Sequence, residues 1–276
     1  MTSTSRKRRW AVAQLTSGDA IQENIRLIEA LIAEAADAGC ELVAFPENAT
    51  FMGREVDKPA IAEAIDGPTV TRLQEMAMKS GVHVLLGSFA ERSQDPSRPY
   101  NSSVLLDSRG EIGAVYRKIH LFDVEVSGDR TYRESDVVMS PRPEVIVGDV
   151  NGARVGLSIC FDLRFPWLYQ QLKSRGAVVL FVPAAFTVPT GRDHWDVLLR
   201  ARAIETQAYV LAPAQAGQHP TGRCTYGRSV IVDPWGVVVA RVNDGGQLAI
   251  AQLDLERVES IRSEMPLVSR EAEYKV

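Results

Sequence analysis

Apolar residues recur along this chain in two rhythms, and the switches between them lay out its elements. Residues 10–15 form a short apolar run, after which Ile21, Ile25, Ile28, Ile32 and Ala36 recur at spacings of three and four within residues 20–38. The run predicts a strand, and the stripe predicts an amphipathic helix packed on a sheet. Residues 41–45 read as the next strand. Residues 69–79 read as a second helix, ending at Ser80-Gly81, where glycine suits a left-handed cap. Short apolar strands follow at 82–88, 102–107 and 113–116, with a Ser108-Arg109-Gly110 turn before the last. Asn151-Gly152, between apolar runs at 145–150 and 153–159, is a hairpin signal. Residues 167–174 and 193–207 are helical in pattern, 177–182 and 208–212 are strands, and 229–232 can pair with 237–241 across Asp233-Pro234-Trp235-Gly236. A last strand spans 248–253. Strands alternating with helices, with hairpins among them, predict an α/β fold with mixed sheets covered by helices.

Composition narrows the setting. With 276 residues, 45% of them hydrophobic, the chain can bury a large core as one domain, placed at residues 10–267. Residues 1–9 are basic and Ser/Thr-rich and read as a disordered tail. No apolar segment follows them, which argues against a secretory signal. Residues 268–276 form a charged tail that could reach another subunit. A net charge of −4 with both signs interspersed does not suggest a nucleic-acid protein, and no apolar run is long enough to span a membrane. Small molecules are the expected partners. Cys40, Cys160 and Cys224 are far apart without a CxxC pair, so neither a disulfide framework nor a structural metal site is indicated, and a reducing cytoplasmic location fits.

Cys160 ends the apolar run Val155-Gly156-Leu157-Ser158-Ile159 and opens a polar and aromatic turn. At the carboxyl edge of an open sheet, where ligands bind, it has the position of a presented nucleophile. The dipole of the helix that follows would favour thiolate. A buried core thiol is the plain alternative. Glu47 and Lys118 stand in the same setting, each just past an apolar strand. Singly, each reads as a solvated loop charge. Together, a thiol, a carboxylate and an ammonium at neighbouring strand ends would make a nucleophile, a proton acceptor and a cationic stabiliser.

Phe45-Pro46-Glu47, Tyr116-Arg117-Lys118-Ile119-His120-Leu121-Phe122-Asp123 and Ile159-Cys160-Phe161-Asp162-Leu163-Arg164-Phe165-Pro166 closely resemble the three signature segments of the nitrilase superfamily of carbon-nitrogen hydrolases. The likeness continues through residues 194–205 and 232–236 and covers roughly residues 10–267, in the family's order and spacing. It implies a four-layer α-β-β-α sandwich, a homodimer or higher homo-oligomer stacked through its helix layers, and an amidase without a cofactor. Cys160 would attack the amide, Glu47 would act as base, and Lys118 with the Phe161 backbone N–H would stabilise the oxyanion. Glu134 matches the family's second glutamate, although it could be a solvated loop acid. The match is closest to the Nit branch, whose members are amidases. The stretch from 203 to 219 is more similar to deaminated-glutathione amidases than to ω-amidases acting on α-ketoglutaramate.

Substrate contacts are less sharply marked. Arg164 could pair with a substrate carboxylate or hold its own turn through Asp162, and Phe186 and Thr187 could line the pocket or simply pack. His120 and His194 invite a Cys-His reading, but a structural role fits them better, and Trp195 and Trp235 read as packing residues. Departures from the family pattern are Phe161 for the commoner Tyr, Trp167 for Glu, and Gly191-Arg192-Asp193-His194 for Gly-Pro-Ala-His. Arg192 adds a cation near the expected pocket mouth. A reading of another class is a Nit-like module that binds partners without catalysis, against which the intact Glu47, Lys118 and Cys160 argue. N-carbamoyl amino-acid and nitrile hydrolysis rank lower still.

Overall fold

A computed structural model describes residues 7–125, 131–243 and 246–267 of the chain. The elements begin with β1 (Lys7–Leu15), α1 (Ile21–Asp37), β2 (Leu42–Ala44), α2 (Lys58–Ile61), α3 (Pro68–Ser80), β3 (His83–Glu91), β4 (Tyr100–Leu106) and β5 (Ile112–Arg117). Next come β6 (Asp123–Glu125), β7 (Thr131–Arg133), β8 (Val147–Val150), β9 (Ala153–Leu157), α4 (Pro166–Ser174), β10 (Val179–Phe181) and α5 (Val188–Thr206). Then follow β11 (Tyr209–Ala212), β12 (Ala214–Gln218), β13 (Cys224–Tyr226), β14 (Val230–Val232), β15 (Val238–Arg241), β16 (Leu248–Asp254) and α6 (Leu255–Glu264).

Two large sheets result. One runs β13-β12-β1-β2-β3-β4-β5 with β16 also paired to β1, and the other runs β15-β14-β11-β10-β9-β8, while β6 and β7 form a separate pair. Strand alternation assigns the layers. Trp10 and Val12 of β1, Leu42 and Ala44 of β2, Leu85 of β3 and Leu105 of β4 join one core with β9, β10 and β11. Their neighbours Ala11, Ala13, Val43, Val84, Leu86, Val104 and Leu106 turn the other way, onto Ile28, Leu31 and Ile32 of α1 and Val70, Leu73 and Ala77 of α3. Leu168, Tyr169 and Leu172 of α4 and Trp195 and Leu199 of α5 pack with the second sheet. The four-layer α-β-β-α sandwich is therefore written into the side-chain alternation.

Strand direction positions the site. β3 is parallel to β2, β4 is antiparallel to β3, and β5 is antiparallel to β4, so β5 and β2 end at one edge of their sheet. Glu47 and Lys118 follow those two ends. In the other sheet β9, β10 and β11 are mutually parallel, so Cys160 after β9 and Ala185 after β10 also share an edge.

Several boundaries differ from the sequence reading. β1 begins at Lys7, inside the expected tail, because Lys7 through Ala13 pair with Asp254 through Leu248 of β16. Helix α5 starts at Val188, with Pro tolerated in its first turn, so Val188-Pro189-Thr190-Gly191 is helical although the expected helix begins only at residue 193. Gly191 lies against Tyr226, whose Cβ would be 2.3 Å from a side-chain carbon there. The Asn151-Gly152 hairpin forms as expected, with φ of 50° and 85°. Trp235 is half exposed, which corrects the expectation that it packs. The expected C-terminal tail, 268–276, and residues 1–6 lie outside the described residues.

Candidate active site

Glu47 leaves β2 through a crowded backbone passage. A side-chain carbon on Gly87 of β3 would lie 1.9 Å from the Phe45 carbonyl oxygen, so only glycine allows this close approach. Beyond it, the Gln215 amide donates to the carbonyls of Glu47 and Asn48 at 3.0 and 3.3 Å. The Asn48 N–H donates to Ser88 Oγ at 2.8 Å, and Asn48 takes a left-handed φ of 54°. The carboxylate is 3% exposed. Its Oε1 accepts from Lys118 Nζ at 2.8 Å and Asn101 Nδ2 at 3.0 Å, and its Oε2 accepts from the Ala185 N–H at 3.0 Å.

Lys118 is equally buried and bridges two acids, reaching Glu134 Oε2 at 2.7 Å as well as Glu47. Glu134 accepts further bonds from the Phe122 N–H at 2.7 Å and from Asn101 Nδ2 at 3.2 Å. It is thus a member of the cluster rather than a solvated loop acid. Burial works against the Lys118 ammonium, but the Glu134 and Glu47 carboxylates overcome it and hold the amine charged well above its ordinary range. Burial likewise opposes the Glu134 charge, and Lys118, helped by Lys58, draws its pKa down to about 2.

Cys160 opens a short 3-10 turn, Cys160–Arg164, with a left-handed φ of 49°, and its N–H donates to the Pro183 carbonyl at 2.8 Å. Asp162 organises this turn. Its carboxylate, fully buried, accepts from the Ile159 N–H at 2.9 Å and the Tyr116 hydroxyl at 2.6 Å, and from the His120 N–H at 3.1 Å. The His120 ring nitrogen Nδ1 lies 2.7 Å from the same carboxylate, and its ring stacks on Phe165 at 3.6 Å. His120 is therefore structural. The Cys160 turn and the Lys118 loop are in effect tied at one acid.

The thiol itself departs from the dipole argument. Burial and the neighbouring Glu47 carboxylate push the Cys160 thiol well above its usual range, and Lys118 and the Ala185 N–H offset this only in part. The Cys160 thiol thus favours its protonated form, with Glu47 as its hydrogen-bonding neighbour.

Glu47, Lys118, Glu134, Cys160 and Phe161 line one cavity of about 600 Å³, together with Arg164, Phe186 and Thr187. Arg164 does not touch Asp162. Its guanidinium lies 5.8 Å from the Phe161 ring and 5.4 Å from the Phe186 ring, beside His194 Nδ1 at 3.2 Å, and it has no carboxylate partner among the described residues. Phe186 packs on buried Trp195 at 4.9 Å, and Thr187 immediately precedes α5. Arg192 is absent from the cavity wall and pairs with Asp193 on the surface. Lys58, Tyr132 and Arg223 line the cavity without having been singled out in the sequence. Asn101 was missed as well, since an amide in a Ser-rich strand carries no signal of its own. Among the described residues, no three His, Cys, Asp or Glu side chains come together as metal ligands.

Comparison with known proteins places this geometry. A carbon-nitrogen hydrolase family model matches residues 9–263. A Synechocystis sp. protein named deaminated glutathione amidase is 46% identical over 259 residues, covering 93% of this chain and 95% of its own. The crystal structure of the Caenorhabditis elegans NitFhit protein superposes with a TM-score of 0.92 at 36% identity, over 98% of this chain and 67% of the other. Nit3 from Saccharomyces cerevisiae, described as a member of branch 10 of the nitrilase superfamily, gives 0.86 at 28% identity, over 96% of each chain. A buried carboxylate, ammonium and thiol converging on one cavity at the ends of two facing sheets, in a chain matched along nearly its whole length, leave one assignment: it belongs to the carbon-nitrogen hydrolase family.

Proposed function

We propose that this chain is an amidase that cleaves the distal amide of a small carboxylate through a cysteine thioester, with deaminated glutathione as its substrate. The observation that carries the chemistry is the Glu47 carboxylate, held 2.8 Å from Lys118 Nζ and beside the Cys160 thiol at the wall of one cavity. As Cys160 Sγ bonds to the amide carbon, Glu47 takes the thiol proton, and Lys118 and the Phe161 N–H face the developing oxyanion. Glu47 returns the proton to the leaving nitrogen as the C–N bond breaks. Water, deprotonated by Glu47, then opens the thioester and frees the acid and Cys160. A positioned acid/base contributes about 10²- to 10⁴-fold and an oxyanion donor about 10²- to 10³-fold.

Arg164, half-buried between two rings and without an acid partner among the described residues, supports a substrate carboxylate. Deaminated glutathione carries a carboxylate at either end, and Arg223 and Arg133 add positive charge to the same cavity. The naming of the similar Synechocystis protein favours this substrate over α-ketoglutaramate. The enzyme is read as cytoplasmic and as a homodimer packed through its helix layers. Exposed Trp167 on α4 and Val197 and Ile204 on α5 support that packing. No helix among the described residues is long and apolar enough to cross a membrane.

The test is release of the dipeptide from deaminated glutathione, and of ammonia from α-ketoglutaramate, by the native chain and by Cys160→Ala. Turnover by the native chain, faster on deaminated glutathione and absent in the variant, is expected. No turnover of either substrate, or undiminished turnover in Cys160→Ala, overturns the reading.

A further inference from the structure

We infer that Asn101 is a positioning residue that fixes Glu47 as the base acting on Cys160, an inference that rests on the base role proposed above. Asn101, near the start of β4, is buried and directs both protons of its amide at acids: Nδ2 lies 3.0 Å from Glu47 Oε1 and 3.2 Å from Glu134 Oε1. Lys118 Nζ bridges the same two carboxylates at 2.8 and 2.7 Å. Two donors and two acids thus close a ring. The spacing of the donors is set by the sheet, because the Lys118 N–H donates to the Asn101 carbonyl at 2.9 Å, continuing the β4 and β5 pairing.

The amide has only one workable orientation. Its Oδ1 is buried without a hydrogen-bond partner among the described residues. Turning the amide over would set that oxygen against two carboxylates, so the carbonyl is left unmet in order that both N–H groups face the acids. A side chain serving only to fill space would not need this arrangement. Asn101 is also absent from the cavity wall, so it acts through Glu47 rather than on substrate.

Charge makes the amide more suitable than a second cation would be. Glu47 faces Lys118, Cys160 and, across the ring, Glu134, on whose charge Lys58 also acts; Arg164 is close to Cys160. A neutral donor restrains the carboxylate without a further positive charge that would weaken it as a base. Without Asn101, Oε1 keeps a single donor and the carboxylate is free to turn away from the Cys160 thiol. Proton removal by Glu47 then slows, and reaction of Cys160 falls back on thiolate formed at higher pH.

The experiment compares the native chain with Asn101→Leu, which keeps the shape, and Asn101→Ser, whose hydroxyl is too short to bridge both acids. The pH dependence of Cys160 alkylation by iodoacetamide is followed by peptide mass spectrometry, with exposed Cys224 as internal reference and thermal melting as the check on folding. Both variants are expected to alkylate Cys160 about tenfold more slowly than the native chain near neutral pH, and to reach half their maximal rate at higher pH. An unchanged pH profile in either folded variant overturns the inference, and Asn101→Ser carries the test if Asn101→Leu does not fold. Alkylation needs no substrate, so a native chain that turns over neither amide would remove the amidase reading while leaving this result standing. Alkylation that is indifferent to Glu47→Gln would instead remove the base role on which the inference rests.

Discussion

The Ala185 N–H donates to Oε2 of Glu47 at 3.0 Å, joining the loop after β10 to the loop after β2 across the two facing sheets. Together with Lys118 and Asn101 on Oε1, it leaves each oxygen of the Glu47 carboxylate facing a donor. In Glu47→Gln, either orientation of the new amide sets its NH₂ against one of those donors. The variant is expected to lose about 1–3 kcal/mol of stability in urea melts and about 10²- to 10⁴-fold in kcat. Native-like stability would mean that the three donors do not converge as described.

The raised thiol makes alkylation a directional test. Glu47 disfavours the Cys160 thiolate, so if the thiolate formed before attack, Glu47→Gln would speed alkylation of Cys160. If Glu47 removes the proton as the new bond forms, the same substitution slows it. Slower alkylation of Cys160, with Cys224 unchanged, is the expected outcome in mass-spectrometric kinetics near neutral pH.

Asp162 holds four donors in the interior and ties the Cys160 turn to Tyr116 and His120. Asp162→Asn swaps one acceptor oxygen for a donor facing a donor. A loss of about 1–3 kcal/mol in urea melts is expected, with kcat falling more than KM rises, since Asp162 does not line the cavity.

Gly87 and Gly113 form a matched pair. A methyl at Gly87 meets the Phe45 and Pro46 carbonyl oxygens at 1.9 and 2.4 Å, which are backbone atoms leading into Glu47, whereas at Gly113 its nearest neighbour is 3.6 Å away. Gly87→Ala is expected to reduce both thermal stability, by about 1–3 kcal/mol or more, and turnover. Gly113→Ala should leave melting temperature and rate near the native values.

Acid should weaken the fold through Glu134. Its carboxyl lies at about 2 when folded against an ordinary 4.5, so its charge favours the folded state at neutral pH. Below about pH 4.5 the unfolded chain takes up a proton that the folded chain refuses, and the contribution fades until the folded group titrates near pH 2. Relative to the native chain, Glu134→Gln should flatten the decline measured by urea melts from pH 5 downward, by at most about 3 kcal/mol.

Much of this arrangement was legible in the chain. Glu47, Lys118, Glu134 and Cys160 were each readable from their place after an apolar run or from a family-like segment, and they share one cavity. The protonation of Cys160 was not readable, because a strand end shows where a thiol emerges and not how deeply it is buried or which charge it faces. The same holds for the Ala185 N–H, a backbone group with no side-chain signature. Helix α6 was missed because only Val258 and Ile261 of its ten residues are buried, too few to make a stripe. β12 and β13 were missed because Ala214-Gln215-Ala216-Gly217-Gln218 and Cys224-Thr225-Tyr226 are polar or small, held by pairing with neighbours rather than by an apolar run.

The pairing of β1 with β16 sets an order on biosynthesis. The strand at residues 7–15 can complete its antiparallel contacts only when residues 248–254 have left the ribosome. Every element of the reactive cluster is translated before then. The sheet that carries Glu47 and Lys118 is therefore completed only after every residue of the cluster has been made.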